Sequence, residues 1–235
     1  MSKPYAIRTA LEEVLDGLVE GDSFPPEREL AVRFGVARET VRQAVHELLV
    51  EGRVERRGRG TVVSKPKLVQ PLSLKSYTEG ALSMGRKPGR LLVTWEDVEA
   101  GSAAVPDLAA ALDVADGAAV MHLERVLLAD GQRIGLESTY LPTHRFGAFT
   151  ETFDPTTSLY AAIRATGVHF GSAVERVETV LASPREAGLL ESTTAMPMLR
   201  LHRRSVDTEG RPIEVVRSLY RGDRVAFEAL LDDRD

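Results

Sequence analysis

The chain has 235 residues, 43% hydrophobic and 28% charged, with 12 prolines and no cysteine. That composition is globular and excludes a disordered tail, a fibrous repeat, a secreted disulfide scaffold and thiolate metal or nucleophile chemistry. The formal net charge is −5, but it is segregated: residues 1–27 carry two basic and six acidic side chains, residues 28–67 ten against five, and residues 68–235 eighteen against twenty-four.

A basic block inside an acidic chain is a local electrostatic footprint for a phosphate backbone. The N-terminus leads straight into mixed charge, and no window approaches the ~18 apolar residues of a membrane span. A soluble cytoplasmic protein without a membrane partner is therefore expected.

Ile7, Leu11, Val14, Leu15 and Leu18 recur at helical spacing and predict an amphipathic helix over about 5–19, stopped by Gly21-Asp22. Pro25-Pro26 opens a second helix that runs to Phe34, with Glu27 and Glu29 in its first turn where negative charge suits the helix dipole. Gly35 ends it. A third helix begins near Ala37 or Arg38, and Val41, Ala44, Val45, Leu48 and Leu49 form its apolar stripe up to Gly52. Two helices joined by a tight glycine turn make a helix-turn-helix, whose second helix enters a major groove.

Burying the stripe leaves Arg38, Glu39, Arg42, Gln43 and His46 on the outer surface. Arginine can pair with the major-groove edge of guanine, and Thr40 can meet a phosphate. Residues 54–63 read as a hairpin with Gly58-Arg59-Gly60 at its tip, a wing whose Arg59 suits a narrow minor groove. A helical packing module with a solvated basic face is the competing interpretation. The order of elements, with the basic block on the last two, favours DNA.

Pro66 and Pro71 interrupt the pattern, which then becomes β-rich. The expected division is a winged helix-turn-helix over 1–65, a linker over 66–75 and a larger domain over 76–235. In that domain strands are predicted near 91–98, 118–128, 133–140, 173–182, 198–206 and 213–220, with hairpin turns at Asp130-Gly131 and Glu209-Gly210. Helices fit near 77–84, 158–165 and 184–191. The fold class is α+β.

Pro26-Glu27-Arg28-Glu29-Leu30-Ala31, Phe34-Gly35-Val36, Arg38-Glu39-Thr40-Val41-Arg42-Gln43-Ala44 and Arg57-Gly58-Arg59-Gly60-Thr61 together resemble the winged-helix signature of GntR-family transcriptional regulators. The resemblance implies DNA contacts from Arg28, Arg38, Glu39, Thr40, Arg42, Arg57, Gly58, Arg59 and Gly60. Position 37 departs from the family's usual Ser or Thr, and Ala37 cannot supply that N-cap hydrogen bond, a loss of about 1 kcal/mol.

Ser76-Tyr77-Thr78-Glu79, residues 124–131, residues 137–142, Thr157-Ser158-Leu159-Tyr160, Pro212-Ile213-Glu214 and residues 220–224 look like the effector domain of the HutC subfamily, most similar to the DasR/NagR type of amino-sugar regulators. The resemblance implies a chorismate-lyase-like (UTRA) antiparallel sheet with flanking helices, a homodimer and a palindromic operator. The implied effector is an amino-sugar phosphate such as glucosamine 6-phosphate or N-acetylglucosamine 6-phosphate, which would act on a repressor. A phosphate needs cationic or N–H donors and sugar hydroxyls need carboxylates or hydroxyls. By resemblance Gly89 and Arg90 lie in a loop near the phosphate, Arg125, Ser158 and Tyr160 join them, and Glu137, Glu214 and Tyr220 bind the sugar.

Two positions depart: Leu127 stands where a second arginine is usual and Arg90 where a serine is usual. Arg90 is expected to replace the missing cation from a different wall of the pocket.

Simpler explanations stand beside these. Ser76 with Glu79 is a capping box, and Arg125 with Glu137 could be a solvated cross-strand pair. A two-residue Asp130-Gly131 turn moreover pairs Arg125 with Leu136, so a bulge or longer loop is needed to bring Arg125 and Glu137 together.

His46, His122, His144, His169 and His202 lack metal-ligand spacing, and nothing resembles a nucleophile elbow or a paired-carboxylate motif. No metal, cofactor or enzymatic activity is expected, and the charged tail Asp232-Asp233-Arg234-Asp235 is expected to be solvated. The remaining alternatives are a HutC-type regulator of another sugar phosphate, a phosphonate or a histidine-pathway metabolite, a chorismate-lyase-like enzyme carrying a DNA-binding module, and an architectural DNA binder.

Overall fold

The structure, a computed structural model, describes residues 3–101 and 105–231. The tail over 232–235 lies outside the described residues. The chain forms two compact units, Met1–Lys67 with Gly222–Arg224, and Leu68–Arg221 with Val225–Asp235.

The first unit contains α1 (Lys3–Asp16), β1 (Ser23–Phe24), α2 (Glu27–Phe34), α3 (Arg38–Val50), β2 (Val54–Arg57) and β3 (Gly60–Val63). Its strands form an antiparallel sheet in the order β1-β3-β2. The core is the apolar stripe expected from periodicity: Ile7, Leu11 and Leu15 pack with Leu30, Val41, Ala44, Val45 and Leu48. Helix α1 ends three residues before position 19. There the Leu18 amide turns back to the Leu15 carbonyl at 2.9 Å, and the Asp22 carboxylate accepts from the Val19 amide at 2.9 Å. Pro26 occupies the N-cap of α2, and Ala37, in extended conformation, caps α3 without a side-chain hydrogen bond.

Glu55 on β2 is 7% exposed. It accepts from Arg57 at 2.8 Å and pairs with Arg224 at 2.5 Å. Burial alone would raise its pKa, but these two arginines outweigh it and hold the carboxyl below its ordinary range.

The second unit contains β4 (Leu68–Pro71), α4 (Tyr77–Ser83), β5 (Pro88–Glu99), α5 (Leu108–Leu112), β6 (Ala119–Ala129) and β7 (Gln132–Pro142). There follow α6 (Thr143–Phe146), α7 (Phe149–Thr152), α8 (Leu159–Ala165), β8 (Phe170–Leu181), α9 (Pro184–Leu189), β9 (Pro197–Asp207), β10 (Pro212–Arg221) and β11 (Val225–Glu228). Six strands form an antiparallel sheet in the order β5-β6-β7-β10-β9-β8, and β4 pairs in parallel with β11.

All six predicted strands are present, five of them slightly longer than expected and β6 displaced by one residue at unchanged length, and the Ser76–Glu79 capping box is formed. The expected linker needs revision. Residues 68–71 form a strand of the second unit because Leu68 and Gln70 alternate inward with Val69 and Pro71 outward. Leu127, Leu201 and Tyr220 pack with Leu68, Tyr77, Ala81 and Val225 on one face of the large sheet. Val126, Leu136, Met198 and Leu219 pack with Ala187 and Leu190 on the other.

The Asp130-Gly131 turn pairs Ala129 with Gln132, and then the register shifts between Leu127 and Leu128. The extra residue is Ile134. This bulge places Arg125 directly opposite Glu137 instead of Leu136.

An Ala37→Ser substitution should stabilise the first unit by about 1 kcal/mol by giving α3 its N-cap acceptor. The check is the urea midpoint of helix unfolding by circular dichroism, which should rise; an unchanged or lower midpoint would contradict the uncapped assignment.

Candidate functional site

The first unit presents the helix-turn-helix side chains outward. Arg28 in the first turn of α2 is exposed, and the side chains of Arg38 and Arg42 on α3 are 71% and 62% exposed. Glu27 lies between Arg38 at 3.5 Å and Arg56 at 3.1 Å, linking the N-terminus of α2 to both α3 and β2. Arg42 is paired with Glu39 one turn earlier. At the wing tip Gly58 has a φ of 59°, a left-handed turn that glycine adopts without strain. Arg59 beside it is exposed, and among the described residues it makes no ion pair. Arg57 is oriented by Glu55.

The second unit holds a cavity of about 60 Å³ whose lining includes Gln70, Tyr77, Arg90, Arg125, Glu137, Thr139, Ser158, Tyr160, Glu175, Arg203, Glu214, Ser218 and Tyr220. Strand register explains the convergence, because residues directly opposite in an antiparallel ladder share a face. One row runs Arg90, Leu127, Gly135, Tyr220, and the next Arg125, Glu137, Ser218, Leu201. Beyond them lie Thr139, Val216, Arg203 and Glu175, then Glu214 beside Ser205. Strands β4 and β11, helix α4 with the residues just before it, and the start of α8 supply the remaining walls.

Arg125 is 2% exposed. Its guanidinium donates to Glu137 Oε1 at 2.5 Å and to the carbonyls of Pro155 and Thr157 at 3.2 and 3.0 Å. Arg90 donates to Thr78 Oγ1 at 2.7 Å and lies 5.5 Å from the Tyr77 ring centroid. Among the described residues it has no carboxylate partner within salt-bridge distance. Burial, and then the nearby Arg125 charge, lower its pKa.

At the opposite end Glu214, 1% exposed, accepts from the Tyr160 hydroxyl at 2.5 Å and from Ser205 at 2.9 Å. Burial pushes its carboxyl up to about 7, against the opposing effects of Tyr160, Arg203 and Ser205. Arg203 makes a bidentate pair with Glu175 at 3.0 and 2.8 Å and donates to the Tyr160 hydroxyl at 3.1 Å.

Among the described residues, four buried polar atoms of cavity-lining residues have no hydrogen-bond partner: Gln70 Nε2, Arg90 Nε, Arg125 Nε and Glu214 Oε2. Each such atom costs about 1–3 kcal/mol while unsatisfied. The residues that carry these three donors and one acceptor all line one small space.

Of the eight effector residues expected, seven line this cavity. Gly89 does not. It belongs to strand β5, not a loop, and pairs with Leu128. Pro88 and Gly89 suggest a turn, but β5 is an edge strand, where a missing amide at the first residue disrupts nothing. Arg90 comes from the strand beside Leu127, directly opposite it on the same sheet face, and not from a separate wall. Ser158 lines the cavity while its hydroxyl caps α8 by accepting from the Ala161 amide at 3.3 Å. Sequence reasoning missed Glu175 and Arg203. Their opposite charges at matching positions of β8 and β9 were the available signal.

Residues 7–63 match the family described as bacterial regulatory proteins, gntR family, and residues 83–226 match the UTRA domain. The chain is 51% identical to the HTH-type transcriptional repressor PhnF of Mycolicibacterium smegmatis over 97% of its own length and 92% of that protein. The chain belongs to the gntR family of bacterial regulatory proteins. It is also 34% identical to the HTH-type transcriptional repressor NagR of Bacillus subtilis, covering 97% of this chain and 94% of that one. The crystal structure of PhnF from Mycobacterium smegmatis superposes with a TM-score of 0.71 at 50% identity, over 97% of this chain and 100% of that one. The architecture of this gntR regulator is thus a DNA-binding helix-turn-helix joined to a UTRA domain, in a family of transcriptional repressors and not of enzymes. No helix among the described residues is long and apolar enough to cross a membrane.

Two outcomes follow for this gntR regulator. Arg59→Ala should weaken duplex binding with little change in sequence preference, whereas Arg38→Ala or Arg42→Ala should cost ~1–3 kcal/mol and relax preference wherever a base contact is lost. Fluorescence anisotropy on matched and mutated operator fragments checks this, and unchanged affinity in all three variants would contradict the assignment. The second concerns Glu214, whose pKa is raised from 4.5 to about 7 on folding. The folded state binds the extra proton, so this group's contribution to stability is complete below pH ~4.5 and is lost as pH rises through ~7. Glu214→Gln should remove that decline, at most about 3 kcal/mol. Melting temperatures of parent and variant that run parallel from pH 4.5 to 7.5 would contradict it.

Proposed function

We propose that this repressor binds a palindromic operator as a homodimer and that a small ligand carrying a phosphate, seated in the Arg125 cavity, weakens that binding. The observation that carries the reading is the set of unpartnered buried polar atoms at Arg90, Arg125 and Glu214 around one space. Two cations at one end suit an anion, and a carboxyl hydrogen-bonded to Tyr160 at the other suits hydroxyl or amine donors. An amino-sugar phosphate, glucosamine 6-phosphate or N-acetylglucosamine 6-phosphate, has that polarity. In this reading Arg90 supplies the cation that Leu127 does not, since it stands beside Leu127 on the neighbouring strand.

Arg28, Arg38, Glu39, Thr40, Arg42 and the Arg57–Gly60 wing would form the DNA surface. Two recognition helices on a palindrome would sit about one helical turn, ~34 Å, apart. A ligand changes operator affinity only if it favours one arrangement of the protein over another.

A second reading is a phosphonate ligand, since Arg90 and Arg125 offer a phosphonate the same donors as a phosphate.

The test is footprinting on the adjacent promoter with and without glucosamine 6-phosphate, N-acetylglucosamine 6-phosphate and methylphosphonate. Release by a sugar phosphate supports the first reading and release by the phosphonate the second. Protection unaffected by all three would contradict both. Arg90→Ala should weaken ligand binding at least tenfold while leaving operator affinity unchanged, and a variant that binds ligand like the parent would remove Arg90 from the site.

A further inference from the structure

Strand β4 alternates inward and outward, with Leu68 and Gln70 facing in and Val69 and Pro71 facing out. An inward position on such a strand ordinarily holds an apolar side chain. Leu68 obeys, packing with Tyr77, Leu127, Tyr220 and Val225. Gln70, two residues later and 6% exposed, does not.

Its carboxamide is wedged against helix α4. A Cβ at Gly80 would lie 2.2 Å from Gln70 Oε1, so only glycine leaves room for it there. Nε2, 3.3 Å from the same point, is buried and has no hydrogen-bond partner among the described residues, and Gln70 lines the cavity. Arg90 rests on the same helix through Thr78 and Tyr77. The Gln70 amide and the Arg90 guanidinium therefore stand at the same end of the cavity, and both are donors.

We propose that the Gln70 side-chain amide is a further ligand contact, donating to an anionic oxygen of the phosphate or phosphonate group that Arg90 and Arg125 hold. The inference rests on the reading of the cavity as the effector site. Gln70 lies three residues from Lys67, the end of the first segment of the DNA-binding unit. The bound anion would thus touch the strand that continues from that unit, with no intervening element. Residues 68–71 are then part of the ligand site and not a passive connection.

A donor role and a packing role make different demands on Gln70. Leucine fills similar volume and removes an unsatisfied amide, so Gln70→Leu should leave the melting temperature of the ligand-free protein equal to or above the parent's. Gln70→Glu keeps the shape and removes both donors.

The experiment is isothermal titration of full-length parent, Gln70→Leu, Gln70→Glu and Arg90→Ala with glucosamine 6-phosphate, N-acetylglucosamine 6-phosphate, methylphosphonate and inorganic phosphate. Affinities are compared for whichever probe the parent binds most tightly. Both Gln70 variants should bind at least tenfold more weakly than the parent. Parent-like affinity in a folded Gln70→Leu or Gln70→Glu protein, with Arg90→Ala impaired, would overturn the Gln70 contact and leave the site standing. Parent-like affinity in all three variants, or a parent that binds none of the four probes, would overturn the site and the inference together.

Discussion

Arg125 organises the effector unit. A guanidinium only 2% exposed is tolerated because it is spent on Glu137 and on two backbone carbonyls, at Pro155 and Thr157. Breaking such a buried pair by removing one partner leaves an uncompensated charge, at a cost of about 3–5 kcal/mol. The two carbonyls lie immediately before α8. Arg125 therefore fixes the segment that presents Ser158 and Tyr160 to the cavity, and Tyr160 in turn donates to Oε1 of Glu214. The sheet and its cover share this one cation.

The pair itself depends on a local irregularity. Without Ile134 as an extra residue in β7, the tight turn would set Leu136 opposite Arg125 and turn Glu137 to the other face. That explains how far the sequence could be followed. The helix-turn-helix was legible because its signals are local: prolines, first-turn carboxylates, a closing glycine and a 3.6-residue stripe all agree. Strand existence in the second unit was legible from apolar runs and turn residues, but register was not, since it is decided by which residue bulges.

The site shows the same division. Arg125 and Glu137 flank a visible hairpin turn, whereas the Arg203–Glu175 pair exists only because β9 and β8 are neighbours in a particular register. Gln70 escaped notice because two prolines made its surroundings resemble a loop, and Gly89 was placed in a loop by resemblance to the family. Both are strand residues whose state is set by pairing with distant segments, Phe227 for Gln70 and Leu128 for Gly89.

In the DNA-binding unit the arginines of α3 and β2 lean on acidic neighbours, Glu27, Glu39 and Glu55. The Arg38 and Arg42 pairs have well-exposed guanidinium groups, so each is worth no more than about 1 kcal/mol, little enough for a phosphate or a base edge to replace. Glu55 is different: buried and paired with Arg57 and Arg224, it orients the wing. The basic block thus combines cations available to a duplex with one carboxylate that shapes the element carrying them.

If the cavity controls the DNA-binding surface, the two sites must be linked thermodynamically, and linkage is reciprocal. The most direct measurement is the dissociation constant of the effector for the free protein and for the protein saturated with operator. The account predicts weaker effector binding on the operator complex, by the same factor by which saturating effector weakens operator binding. Equal effector affinity in the two states would contradict it.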